Sequence, residues 1–294
     1  MGEIVLYLTF ALSGSAFKDN ILVNAIRAAE NTGRVLSVMY DISGAAEDKW
    51  AATVLSDWQY LVAAHNVTAS PAWLHHDDKP VLSIWGLGFV AHPGTPATSL
   101  AVVQELKKTV TFVGGVPTHW RDGNGDSKPG YTAVYEAMDV LSPWLVGRYG
   151  DDTGFDSNMK STFIPDKQAT DKLGQGYAPV VFPGFSWANL MRTTGQPPSP
   201  FNMIPRRAGK FWSYQAHGFA SVSACWLCYW QSSAPSRLPV PVRLPSRYYN
   251  PFLVFSSLCI TPLTGRCCGN IFFGVTAHGP DGIKAAVPLR GNVR

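Results

Sequence analysis

Apolar residues in the first two thirds of the chain gather into short runs that end at Gly or Pro and then present polar or aromatic side chains. Runs at residues 4–10, 34–41, 80–86, 109–114, 145–149 and 178–183 are apolar with little alternation, the pattern of strands buried on both faces. Between them, residues 17–31, 50–65, 99–108 and 131–141 space apolar side chains three and four apart, which predicts helices with one buried stripe. Strand and helix therefore alternate, and units of roughly 30–45 residues fit a (β/α)8 TIM-type barrel, with a doubly wound open sheet as the alternative. Beyond residue 215 the order fails. Residues 224–230 read as one more strand, but PSRLPVPVRLPSRYYNP from Pro235 places prolines where neither a helix nor a central strand accepts them. The expectation is an α/β barrel domain over residues 1–230, incomplete as a barrel, and an irregular Pro/Arg/Cys-bearing tail over 231–294.

Composition sharpens that border. The 294 residues are 46% hydrophobic, enough for one large core. The net charge of +4 hides an asymmetry: up to residue 190 there are 13 Lys and Arg against 19 Asp and Glu, a balance of −6, and after it 11 against one, a balance of +10. All five cysteines (Cys225, Cys228, Cys259, Cys267, Cys268) lie in the last seventy residues, and an odd count with an adjacent pair is poor material for a disulfide framework. Arginines set among prolines read as a solvated linker, so no nucleic-acid partner is expected. No apolar run approaches the roughly 20 residues of a membrane span. Residues 4–12 with the small residues that follow imitate a signal peptide, yet Glu3 stands where a positive charge belongs. Asn66-Val67-Thr68 is a glycosylation sequon that matters only in a secreted chain. Neither the compartment nor the oligomeric state is written in this pattern.

The chemistry gathers where the strand-like runs end. Flat apolar rings beneath C–H faces, with fixed polar groups around hydroxyls, are what a sugar-binding pocket needs. Tyr40, Asp41, Trp85, His119, Trp120, Arg121, Trp144, Arg148, Tyr149 and Trp187 supply that mixture and are the candidate substrate-binding residues. Each of them also has a structural reading, as a core aromatic or, for Asp41, as a cap. Other motifs fall short. Asp122-Gly123-Asn124-Gly125-Asp126 imitates an EF-hand loop, but Ser127 and Ala133 replace the required Gly and Glu, leaving a polar turn. His75-His76-Asp77-Asp78 are adjacent, which rarely lets side chains converge on one ion. Cys225-Trp226-Leu227-Cys228 lacks a matching second half for zinc. No G-x-G-x-x-G, G-x-x-x-x-G-K-[ST] or G-x-S-x-G occurs. No metal and no cofactor are expected.

The phrases MYDISG, PVLSIWGLGF, GGVPTHWR, DVLSPWLVGRYGD, PVVFPGFSWANL and IPRRAGKFW, in that order across residues 17–215, resemble glycoside hydrolases of the family 99-like group, especially fungal-type members labelled xylosidase/arabinosidase. The resemblance implies a (β/α)8 barrel, a glycan at its mouth, and a family reaction that is retaining hydrolysis of an α-mannoside or related linkage. It also implies a catalytic pair in an E-x-x-E-G-T type motif after the last strand. Here Gln231-Ser232-Ser233-Ala234-Pro235 follows residues 224–230, and no Glu occurs after Glu136, so no residue inherits the catalytic role. If residues 4–10 are the family's second strand, the first is absent. Two expectations follow: a glycoside hydrolase-like enzyme, or a catalytically inactive carbohydrate-binding relative, including a product whose last part comes from a shifted reading frame or retained intron. Glycosidic cleavage needs two carboxyl groups, and Asp41 with Asp151, Asp152 or Asp156 is the substitute pair the sequence offers.

Overall fold

The computed structural model describes residues 3–8, 16–186, 203–222 and 272–275. Strands β1 (Glu3–Leu8), β2 (Val35–Asp41), β3 (His75–His76), β4 (Lys79–Trp85), β5 (Thr111–Val116), β6 (Val140–Pro143) and β7 (Gly176–Tyr177) alternate with helices α1 (Ala16–Thr32), α2 (Trp50–His65), α3 (Pro96–Lys107), α4 (Thr132–Glu136), α5 (Asp152–Asn158) and α6 (Ile164–Lys172). A π-helical turn, Met159–Phe163, joins α5 to α6. There follow β8 (Phe185–Ser186), β9 (Met203–Ile204), α7 (Lys210–Val222) and β10 (Phe272–Val275).

The main sheet runs β10-β1-β2-β4-β5-β6-β7, every neighbouring pair parallel, with β3 antiparallel on β4. From β1 to β7 each new parallel strand is added on the same side. That is the order of a (β/α) barrel, whereas a doubly wound sheet reverses direction at a switch point. β10 comes from the stretch that the sequence reads as tail and lies along the other side of β1. The strand expected at 224–230 and the domain boundary at residue 230 fall outside the described residues.

Alternation along the strands divides the core in two. Leu36, Val38 and Tyr40 of β2, Leu82 and Ile84 of β4 and Phe112 of β5 pack outward against Leu22 of α1, Val54, Trp58 and Leu61 of α2 and Val102 and Val103 of α3. Met39, Val81, Val113, Val140 and Ala178 form a separate inner cluster. Burial on both faces is why these strands read as unbroken apolar runs. A third cluster, including Tyr149, Phe155, Phe163, Phe182, Phe211 and Phe219, holds α5, the π turn and α7 together.

Local chemistry sets the boundaries. Thr95 caps α3 by accepting from the Thr98 amide at 3.1 Å, with Pro96 in the first turn. Asn66 ends α2 in the left-handed conformation, φ 49°. Asp77 and Asp78 have φ of 48° and 61° and join β3 to β4 with His76 opposite Lys79, so the His-His-Asp-Asp run is a two-residue hairpin turn. The strand expected at 145–149 is placed differently: β6 is Val140–Pro143, starting within the last two residues of the stretch read as helix 131–141, of which only Thr132–Glu136 is α-helical.

Candidate functional site

Strand register builds the site first. Asp41 pairs with Trp85, Trp85 with Gly115 and Gly115 with Ser142, so these four residues form one layer at the carboxyl ends of β2, β4, β5 and β6. Trp85 packs against the inner cluster, which puts the layer on the inner face of the sheet. A Cβ at Gly115 would lie 2.5 Å from Trp85 Cδ1 and 2.9 Å from Trp85 Cα. Only glycine lets the indole lie across β5. The Trp85 ring then meets Trp144 at 5.1 Å between centroids and 68° between planes, Phe89 at 5.2 Å and His92 at 5.1 Å. Trp85 Nε1 and, one layer below, the Ser83 hydroxyl are buried without a hydrogen-bond partner among the described residues.

Asp41 is buried and accepts from the Ser43 amide at 2.9 Å. It therefore caps its own turn; the residue before α2 is Lys49, which makes no side-chain cap. His92 is half-buried, stacked on Phe89 at 4.6 Å, with Nδ1 3.1 Å from the Gly86 carbonyl oxygen. That contact requires a proton on Nδ1. Burial pushes the His92 pKa below the usual histidine value; the Gly86 hydrogen bond and the Asp41 charge oppose the shift, and Lys128 adds to it.

The β4 and β5 loops are stitched together. Lys128 donates from Nζ to the carbonyls of His92 at 2.6 Å and Gly94 at 2.8 Å, and from its amide to Gly88 at 2.7 Å. The Val90 amide donates to Asp126 O at 3.0 Å. The Asp126 carboxylate accepts from the amides of Thr118 at 3.1 Å and His119 at 3.0 Å and forms an ion pair with Arg148. The His119 ring lies over Gly125, where a Cβ would come within 2.9 Å of Cδ2. Among the described residues no three His, Cys, Asp or Glu side chains converge as metal ligands would.

Of the ten candidates, the structure brings Asp41, Trp85 and Trp144 together, with His119 and Arg148 on the adjoining loops. Three others are turned into the packing layers, a correction to their expected place at the mouth. Tyr40 precedes Asp41 on β2 and so faces the opposite side, where its hydroxyl donates to Asp57 at 2.7 Å. Tyr149 sits in the third cluster and donates to Gln215 Oε1 at 2.9 Å. Trp120 donates from Nε1 to Asp166 at 3.1 Å. Arg121 stays partly exposed but bends the same way, its Nε 2.9 Å from Asp166. Burial raises the Asp166 pKa to about 6, with Arg121, Trp120 and Tyr177 pulling the other way. Trp187 lies outside the described residues.

No family model matches the chain, and no curated protein does. Solved structures do. The GH99 endo-alpha-mannosidase from Bacteroides thetaiotaomicron superposes with a TM-score of 0.54 at 16% identity over 75% of this chain. The same enzyme in complex with BIS-TRIS-propane gives 0.53, also at 16% identity over 75% of this chain. The likeness is one of fold. This chain spans 59% and 62% of the length of those two structures.

Within this glycoside-hydrolase-like fold the strand-end layer and the loop after β4 offer an aromatic wall, an imidazole and a carboxylate. Only one of the layer's four residues is acidic. Asp151 caps α5 at the Gly154 amide, Asp152 pairs with Arg207, and Asp156 accepts from the Tyr214 hydroxyl, so each acid of the substitute pair has a structural partner. Sequence reasoning missed Phe89, His92 and Lys128 and read Asp126 only as part of a polar turn. The signal for the first two was Gly-Leu-Gly-Phe directly after a strand end, a loop tight enough to fold back over Trp85.

Proposed function

We propose that this chain binds a glycan at the carboxyl-terminal mouth of its sheet, with Asp41, Trp85 and Trp144 in contact with the sugar and His119 and Arg148 on the adjoining wall. The observation that carries the reading is the edge-on Trp85–Trp144 pair at 5.1 Å in register with Asp41. Such a pair offers a sugar ring an apolar floor, while the carboxylate takes its hydroxyl protons. The likeness in fold to an endo-alpha-mannosidase supports α-linked manno-oligosaccharides as the first ligands to try.

A second reading adds retaining hydrolysis of such a linkage, and the same likeness in fold favours it. A single acid in the strand-end layer favours binding without turnover, because protonating the leaving oxygen and stabilising the developing cation are separate tasks. The test is titration of tryptophan fluorescence with α-manno-oligosaccharides, run beside a hydrolysis assay on the same panel. Saturable quenching that Trp85→Ala abolishes supports the site. Absence of quenching by a folded wild-type chain rejects it, and turnover by the wild type selects the second reading.

A further inference from the structure

We infer that His92 is a specificity residue of this mouth, whose Nε2 accepts a hydrogen bond from a ligand hydroxyl; the inference rests on the glycan-binding reading above. The tautomer is set by geometry. Nδ1 spends its proton on the Gly86 carbonyl at 3.1 Å, so in the neutral ring the acceptor lone pair is on Nε2. Ring orientation is set as well, since Phe89 stacks on one face at 4.6 Å and Trp85 stands at 5.1 Å. The backbone beneath is held by Lys128, which donates to the carbonyls of His92 and Gly94. Asp41, in register with Trp85, is close enough to act on His92 electrostatically.

The arrangement places two acceptors, a carboxylate and a neutral imidazole, beside the Trp85 ring. A polyol ring lying against Trp85 and Trp144 would give one hydroxyl proton to Asp41 and another to Nε2. A site built to accept from a hydroxyl discriminates strongly against the analogue that lacks it. The ligand class is therefore an oligosaccharide with two free hydroxyls on the sugar at the mouth, and a monodeoxy analogue at the His92 position is the molecule the site rejects.

Three proteins and one spectrum test this. α-1,2-Mannobiose is titrated into the wild type, His92→Phe and Trp85→Ala. His92→Phe keeps a ring to stack on Phe89 but has no acceptor, and is expected to bind about 5- to 10-fold more weakly, the worth of one hydrogen bond. Trp85→Ala is expected to abolish binding. In the wild type, ¹⁵N spectra of labelled histidine should show the His92 Nε2 resonance moving on saturation while Nδ1 stays protonated, a readout independent of whether the variant folds. Wild-type binding with an unmoved Nε2 resonance overturns the role of His92 and leaves the glycan site standing. No binding by wild type to any panel sugar overturns both.

Discussion

One methyl group at Gly115 would reach the Trp85 ring and backbone at once, so Gly115→Ala cannot be absorbed by a side-chain rotation alone. The expected result is a cost of about 1–3 kcal/mol from overpacking and a sugar affinity lowered with it, read by urea denaturation and fluorescence titration. His92 carries a pH signature. Its pKa lies below the ordinary value because of burial, with the Gly86 hydrogen bond and the Asp41 charge pulling up and Lys128 pushing down. Above that pKa Nε2 is an acceptor; below it both nitrogens donate. Glycan affinity should be flat above about pH 7 and fall as the pH drops through the lowered value. Folding runs the same way: the unfolded chain takes up the proton first, so this group's contribution is present above the unfolded value and is lost as the pH falls from there through the lowered folded value. Asp166 behaves oppositely. Its folded pKa of about 6 stands above the ordinary 3.8, so between the two the folded chain holds the extra proton, and this group's contribution to stability grows as the pH falls from 6 toward 4. Arg121→Gln removes the nearest cation and should raise the value further, which carboxyl ¹³C titration measures directly.

At the scale of elements, α7 shows which forces hold a helix in place. The exposed ion pair between Arg207, in the turn before α7, and Asp152 at the start of α5 belongs to a class worth about 0–1 kcal/mol. Buried rings matter more. Phe155 packs so closely on α7 that a Cβ at Gly218 would lie 2.3 Å from Phe155 Cε1. Glycine to alanine inside a helix ordinarily gains about 1 kcal/mol. Here the collision reverses the sign, and Gly218→Ala should lower the urea midpoint. Gln215, fully buried, accepts from the Tyr149 hydroxyl and the Phe182 amide and donates to the carbonyls of Phe182 and Phe211. Gln215→Leu takes the side-chain partner from the Tyr149 hydroxyl and from the Phe182 amide and carbonyl, while the Phe211 carbonyl keeps its helical bond, and should cost about 3 kcal/mol. None of this was legible in the sequence, because the partners lie 33 and 66 residues away from Gln215. The misplaced β6 has a local cause: Val134, Met138 and Leu141 continue a helical spacing through a four-residue strand that has no room to show its own period. By contrast, α2 was legible to the residue, since its stripe of Trp50, Val54, Trp58 and Leu61 runs unbroken to Asn66.

For the whole molecule, the alternation of strands and helices sufficed for the α/β class and the sequential strand order, because each unit is local. The site was legible only in part. Strand ends mark where a mouth is, but a shift of one residue along a strand decides which side a ring takes, and Tyr40 and Asp41 are neighbours sent to opposite sides. The stitched β4 and β5 loops have a kinetic consequence. With Lys128 fastening His92 and Gly94, and Val90 tied to Asp126, the wall beside Trp85 is held in place before any ligand arrives. A ligand then spends little free energy on ordering it, and stopped-flow binding should proceed in one concentration-dependent phase without a slow conformational step.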